Sequence, residues 1–353
     1  MIKLYKFYII AACTAMMLTG CAQIKNSSDI AENNYTVVED GIDYLSVEGL
    51  ALEPGTEIAM VATDSSNDFY SVVKQGAEQA IADLNTALGY SGKNKISFSY
   101  AAPKQENVVD QINIIDQFLD KAPNALCIAF SDATACKTQL QMAKNNGIHL
   151  IAFDAPDDSQ ATETMIATDN MEAAEKAAAK MFTAVNYEGK IAVIVHNSLK
   201  QTGQERYRAI TNQLQENYSN KDLRIVDVVY LAQDNRSEKE ILDNLLEKHP
   251  DLSGIICTDM VTTEMTIDYA KKMEERNFSI VGFDVSEKIV EAVNDGTILG
   301  TVAQDPYHIG YATVVAAARS VLGMENAENI QTGHIWVDAS NVESEEVQDL
   351  FVD

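Results

Sequence analysis

Positive charge, cysteine and proline are all scarce in this chain. Lysine and arginine number 26 against 53 aspartates and glutamates, a formal net charge of −27. Such a surface repels phosphate backbones and resists lying flat on anionic lipid, so no nucleic acid is expected among its partners. There are five cysteines and no Cys-x-x-Cys. With Cys13 and Cys21 near the start, Cys127, Cys136 and Cys257 are an odd set without close spacing. That excludes a disulfide framework and dithiol redox chemistry. A Cys127–Cys136 bridge is not expected. Cys127 and Cys257 each end an apolar run and read as small buried hydrophobes. Six prolines and 17 glycines, with no repeat period, exclude a solenoid or a low-complexity chain. No Gly-x-Ser-x-Gly elbow, Walker loop, Gly-x-Gly-x-x-Gly or His-Glu-x-x-His occurs. The five histidines, at 149, 196, 249, 308 and 334, lack metal-ligand spacing, and no Asp-x-Asp-x-Asp-Gly calcium loop is visible. With no assembled catalytic or metal motif, neither an enzyme nor a bound cofactor is expected.

What is present begins with an address label. Lys3 and Lys6 form a short basic start, Phe7 to Leu18 an apolar run, and Leu18-Thr19-Gly20-Cys21 a small-residue close. This is the build of a secretory signal. The run is shorter than the roughly 20 residues a membrane span needs. Its ending resembles a bacterial lipobox, which implies cleavage after Gly20, lipid on Cys21 and a protein tethered outside the cytoplasm. Cleavage removes Lys3 and Lys6 and leaves −29 on the mature chain. Residues 21–53 are polar and acidic with few periodic positions and read as a largely disordered tether.

From Glu57 onward strand-like and helical patterns alternate. Apolar runs fall at Ile58–Ala62, Ile96–Tyr100, Ala125–Ala129 and His149–Phe153, separated by helical spacings such as Val108, Ile112, Ile115 and Leu119. After Asp169 the pattern restarts, with strand-like runs at Ile191–Val195, Ile225–Leu231, Ile255–Cys257 and Ile280–Phe283 and a short one at Ile335–Val337. Strand, helix, strand at about 30-residue intervals means parallel βαβ units. At 353 residues the chain has room for about two domains. The fold class is therefore α/β, two similar lobes with parallel sheets.

Ligands of open parallel α/β sheets bind beyond the carboxyl ends of the strands. The residues there are rich in Asp, Asn, Gln, Thr and aromatics. Carboxylates, amides and guanidinium exchange hydrogen bonds with hydroxyls, and aromatic faces cover the apolar side of a sugar ring. Phe69 and Tyr70 offer the second property; Asp154, Arg206, Asp284 and Gln304 offer the first. Singly, each aspartate reads first as a solvated loop residue or a helix N-cap; a matched set over two lobes points to a ligand.

The order and spacing of short motifs resemble the periplasmic sugar-binding proteins of the ribose and galactose type, the solute receptors of ABC transporters. The carriers are Asn67-Asp68-Phe69-Tyr70, Phe153-Asp154, Ala167-Thr168-Asp169-Asn170, Gln204-Glu205-Arg206, Thr258-Asp259, Ile280-Val281-Gly282-Phe283-Asp284 and Thr301-Val302-Ala303-Gln304-Asp305-Pro306. The resemblance runs from about Glu57 to Val337. It implies a type I periplasmic binding protein, with a three-strand hinge near Thr168–Asp169, Ala303–Gln304 and Gly333–His334. The N-terminal lobe is then 54–168 plus 305–333, and the C-terminal lobe 169–304 plus 334–353. It also implies sugar contacts from Asn67, Phe69, Tyr70, Asp154, Arg206, Asp284 and Gln304. The chain departs from the ribose pattern at Ala155, where that pattern has arginine, at Thr258, where it has asparagine, and at Ala129-Phe130, where it has Asn-Pro. These losses argue against ribose itself; Asp68, Asp132 and Asp234 are candidate acceptors in their place. The implied partners are a monosaccharide or polyol and the permease subunits of an ABC importer, with the protein acting as a membrane-anchored monomer. A receptor that presents a sugar or autoinducer to a sensor kinase or chemoreceptor is the alternative, because fold does not decide function. A related repressor would need a helix-turn-helix and a basic patch before residue 57, where an acidic stretch stands.

Overall fold

A computed structural model describes residues 37–66, 68–157, 159–348 and 350. The signal segment, Cys21 and Asn67 lie outside the described residues. A short antiparallel ribbon comes first, β1 (Val38–Glu39) and β2 (Ile42–Asp43). Its turn, Asp40-Gly41, has positive φ at both residues, the conformation a two-residue hairpin prefers and Asp-Gly readily adopts.

One sheet follows from β3 (Glu57–Val61), α1 (Asp68–Leu88), β4 (Ser97–Ala101), α2 (Val108–Leu119), β5 (Ala125–Ile128), α3 (Lys137–Asn145), β6 (His149–Phe153) and β7 (Thr164–Thr168). The chain then enters α4 (Asn170–Ala184), β8 (Glu188–Val195), α5 (Gln201–Tyr218), β9 (Asp222–Tyr230), α6 (Glu238–Lys248), β10 (Leu252–Cys257), α7 (Met260–Ala270), β11 (Ser279–Phe283), α8 (Glu287–Asn294) and β12 (Gly300–Gln304). It finishes with α9 (Pro306–Val321), β13 (Asn329–Thr332), β14 (His334–Val337) and α10 (Glu345–Gln348).

The N-terminal sheet has the order β13-β7-β6-β5-β3-β4 and is parallel throughout. The C-terminal sheet has the order β14-β12-β11-β10-β8-β9, with β14 antiparallel to β12 and the rest parallel. The path passes between sheets at Asp169, Asp305 and Gly333, between β7 and α4, β12 and α9, and β13 and β14. Central strands such as β5 are buried along their whole length, as expected when helices cover both faces of a parallel sheet.

Helices α1 and α9 meet at unusually short range. A Cβ on Gly76 would lie 1.9 Å from the Tyr307 carbonyl oxygen, and one on Gly310 would lie 1.8 Å from that of Val73. Only glycine fits at either place. This seam seats the start of α1, and with it Phe69 and Tyr70, against the start of α9 just after the second crossing.

One expectation needs correction. The tether does not extend to residue 53. Val37, Tyr44, Leu50 and Leu52 are buried in the N-terminal core. The Tyr44 hydroxyl accepts from the Ala327 N–H (2.9 Å), and the Leu52 carbonyl accepts from the Tyr90 hydroxyl (2.9 Å). The N-terminal lobe therefore begins by Val37, not 54. An acidic, aperiodic stretch can still carry a few well-spaced apolar anchors. Strands β7, β12 and β13 also lack a continuous apolar run, because each mixes threonine or glutamine into a short segment, and so escape a reading by periodicity. Cys127, Cys136 and Cys257 are buried free thiols. Burial pushes all three up, Cys136 to about 11 and Cys257 to about 12.

Candidate functional site

The same local device ends β6 and β11. In each, a Phe-Asp pair closes the strand and the aspartate turns into the left-handed region, with φ +55° at Asp154 and +67° at Asp284. Aspartate tolerates this conformation better than most residues. Each aspartate's N–H donates at 2.8 Å to the neighbouring strand, Asp154 to Ile166 O and Asp284 to Val302 O. One carboxylate comes from each lobe.

Both are held by neighbours. Asp154 Oδ2 accepts from the Tyr70 hydroxyl at 2.6 Å. Asp284 Oδ1 accepts from Gln304 Nε2 at 2.6 Å and its Oδ2 from the Met260 N–H at 2.8 Å. Thr301 Oγ1 caps the Asp284 carbonyl at 2.7 Å. Arg206, on α5 and only 5% exposed, sits over the Phe283 ring, its Cζ 3.9 Å from the ring centre. Its Nε donates to Asn170 Oδ1 (2.9 Å) and its Nη1 to Thr258 O (2.7 Å). Two of its donor nitrogens are thus fixed by the C-terminal lobe.

Burial dominates the electrostatics. It pushes the carboxyls of Asp154 and Asp284 above the usual aspartate range, although the Arg206 charge draws both down. Tyr70 is raised well above an ordinary phenol, by burial first and by Asp154 beside it next. The proton of the Tyr70–Asp154 pair therefore stays on tyrosine. Two desolvated carboxylates around one pinned guanidinium, with an amide and a phenol attached, form a set of donors and acceptors for neutral hydroxyls. Phe69 packs edge-on to Tyr70, ring centres 5.3 Å apart.

Phe69, Asp68, Asp284 and Gln304 line one crevice between the lobes, together with Met260 and Pro306. At this end the free space is only about 10 Å³, close to what one water needs. Asp154 faces a second opening of about 220 Å³ shared with Asn170, Gln201 and Glu205. Asp132 lines a third, of about 530 Å³, between Phe130 and Ala155 of one lobe and His196 and Asn197 of the other. Its Oδ1 accepts from the Ala135 N–H (2.9 Å) and caps the turn before α3. Lys200 and Glu106 form an ion pair across the lobes at 2.8 Å. Thr258 contributes its backbone carbonyl, as above. Asp234 does not belong here. Its carboxylate is held by Arg236, which draws its pKa down to about 2, and it lines a groove along β9 and α6 whose walls all come from the C-terminal lobe. A charged residue after a strand looked like a ligand contact; its partner two positions on claims it instead.

Several residues escape sequence reasoning. Asn170 is visible in the Asp169-Asn170 motif, but its role as the rest for Arg206 requires the packing of α4 on α5. Met260 acts through its N–H, which no side-chain pattern reveals. Phe283 reads as core, yet its ring carries the guanidinium. Among the described residues no group of three or more His, Cys, Asp or Glu could hold a metal ion, and no helix is long and apolar enough to cross a membrane.

Comparison with known proteins places this geometry. The ribose import binding protein of Bacillus subtilis is 21% identical over 262 residues, 74% of this chain and 80% of its own length. That of Escherichia coli is 24% identical over 269 residues, 75% and 85%. Among solved structures, an ABC transporter solute-binding protein from Agrobacterium vitis bound to α-D-tagatopyranose superposes with a TM-score of 0.75 at 22% identity, covering 84% of this chain and all of that one. A carbohydrate transporter solute-binding protein from Agrobacterium radiobacter with D-arabinose gives 0.72 at 20% identity, covering 84% and 99%. The family model for the periplasmic binding protein domain matches residues 58–325. Spanning both lobes and all the residues around Arg206, that match makes this chain a member of the periplasmic binding protein family.

Proposed function

We propose that the protein is an extracytoplasmic, lipid-anchored solute-binding protein that captures a monosaccharide or similar polyol between its lobes and delivers it to an ABC importer. The observation that carries the reading is the pair of left-handed aspartates, one per lobe, flanking a buried arginine whose own donors are partly fixed. A hydroxylated ligand bridging Asp154 and Asp284 bonds to both lobes at once. It therefore favours the closed arrangement over an open one, a population shift toward the form a permease recognises. Asp169, Asp305 and Gly333 are the places where closure is absorbed, since hinges lie at the ends of elements. The chemistry is binding without turnover. The anchor rests on the lipobox at Leu18–Cys21 and on an acidic surface that would not hold to anionic lipid unaided.

Thermal-shift and calorimetric titration of residues 37–353 against aldopentoses, hexoses and polyols tests the binding. At least one sugar should bind. Asp284→Ala should weaken it by about 2–4 kcal/mol, because hydroxyls and Arg206 lose a buried partner. No shift with any member of the panel contradicts the reading. Mass spectrometry of envelope-extracted protein tests the anchor: the mature chain should start at a lipid-modified Cys21, and an unmodified or uncleaved chain refutes it.

A further inference from the structure

Free volume is distributed unevenly along the interlobe cleft. The Phe69–Asp284 end is nearly closed, about 10 Å³, Asp154 faces an opening of about 220 Å³, and the opening lined by Asp132 and Ala155 measures about 530 Å³. The last falls in the range of built small-molecule sites, roughly 300–1,000 Å³, and exceeds what one sugar ring fills. It meets the opening that Asp154 faces, with which it shares Pro156 and Gln201. Lys200 and Glu106 on its wall act electrostatically on Asp154, and Ala155, next to Asp154, ends in a methyl group that leaves the space open.

The walls carry unused polar atoms. Ser131 Oγ and His196 Nδ1 are buried, and neither has a hydrogen-bond partner. The nearest carboxylate to His196 Nδ1, on Asp259, stands at 3.9 Å, too far for a hydrogen bond. Buried polar groups in folded proteins are nearly always satisfied, so two orphans, one from each lobe on the same opening, call for a partner. Apolar surface is there too. Leu199 is 81% exposed at the rim and Phe130 lies in the wall, which suits the C–H face of a ring.

We propose that this opening is a second subsite, and that the preferred ligand is a disaccharide or glycoside of a neutral sugar. One ring lies at Asp154, Arg206 and Asp284, and the second lies between Ser131, His196 and Leu199. The inference rests on the sugar-binding reading above and extends it to ligand size. Asp132 and the Lys200–Glu106 pair keep this end polar without net positive charge, which favours hydroxyls over an anionic group.

The test is calorimetric titration of residues 37–353 with D-glucose, D-galactose, D-xylose and L-arabinose, and with maltose, cellobiose, lactose, melibiose and xylobiose. A disaccharide should bind at least about tenfold tighter than the best monosaccharide. His196→Ala and Leu199→Ala, read separately, should each weaken the disaccharide about fivefold, the scale of one net interaction, and leave the monosaccharide within about twofold. Leu199 is a surface side chain, so its variant keeps the test intact if the histidine variant does not fold. A monosaccharide that binds as tightly as every disaccharide overturns the second subsite while leaving sugar binding in place. So does a disaccharide whose affinity ignores both substitutions. Failure of every sugar to bind overturns the sugar-binding reading itself.

Discussion

Asp154→Asn separates the two consequences of burying a carboxylate at a binding site. The substitution keeps the shape, and an amide oxygen can still accept from the Tyr70 hydroxyl that now reaches Asp154 Oδ2 at 2.6 Å. What it removes is a charge whose burial raises the Asp154 pKa above the ordinary 3.8, in spite of the opposing pull of Tyr70, Arg206 and Lys200. A raised folded value means that the folded state binds this proton more readily than the unfolded state does. The folding penalty of the carboxylate is therefore absent below about pH 3.8 and grows as pH climbs through the raised value. The free Asn variant should melt at a higher temperature than wild type at pH 8, and the gap should shrink toward pH 4. Ligand affinity should move the other way. Each charge-assisted bond from a sugar hydroxyl is worth about 1.5–3 kcal/mol, so binding should weaken about 10- to 150-fold. Differential scanning fluorimetry across pH and calorimetry at pH 7.5 read both effects. A variant less stable than wild type at pH 8, or a gap that widens toward acid, refutes the argument that Asp154 is held against its own solvation for the ligand. Undiminished affinity removes it from the site.

Other outcomes follow from the same contacts. Arg206→Met keeps the packing on Phe283 but leaves Asn170 and the Thr258 carbonyl without their donor and removes the buried charge that draws down Asp154 and Asp284; leaving buried carboxylates uncompensated should cost about 3–5 kcal/mol in urea denaturation, with sugar binding lost. Tyr44→Ala should destabilise by about 3–5 kcal/mol, since Tyr44 is fully buried and accepts from Ala327 N–H; a change within the noise would return residues 37–53 to the tether. Gly310→Ala drives a methyl onto the Val73 carbonyl and should yield insoluble or unfolded protein, whereas Gly323→Ala, where a Cβ meets nothing within 4 Å and only the positive φ opposes it, should fold with a modest loss on the scale of about 1 kcal/mol. Lys200→Met should lower ligand affinity by less than about 1 kcal/mol, with the difference fading in high salt, because the pair with Glu106 is part-exposed.

The α/β lobes were legible because parallel sheets demand continuous apolar strands and leave helices at regular intervals, as in β5, β6 and β11. Strands β7, β12 and β13 were not, since they owe their place to register with neighbours rather than to their own composition. At the site, the Phe-Asp pairs at 153–154 and 283–284 and the late Gln304 stood out as polar residues just past apolar strands. The direction each carboxylate takes depends on a left-handed backbone, and aspartate at that φ is not written in the side-chain pattern. Asp234 misled for the opposite reason: its position is right for a strand tip, but Arg236 neutralises it locally. Asn170 and the Met260 N–H serve only through three-dimensional proximity. The unfilled volume near His196 has no linear signature beyond the small residue at Ala155, a departure that gains meaning only once the opening is seen.

A crystal structure with the tightest sugar from the titration panel tests the central claim most directly. The account predicts ring hydroxyls within hydrogen-bonding distance of Asp154 from one lobe and of Arg206 and Asp284 from the other, with Phe69 against the ring's apolar side. A sugar seated on a single lobe, or held by none of these four residues, contradicts it.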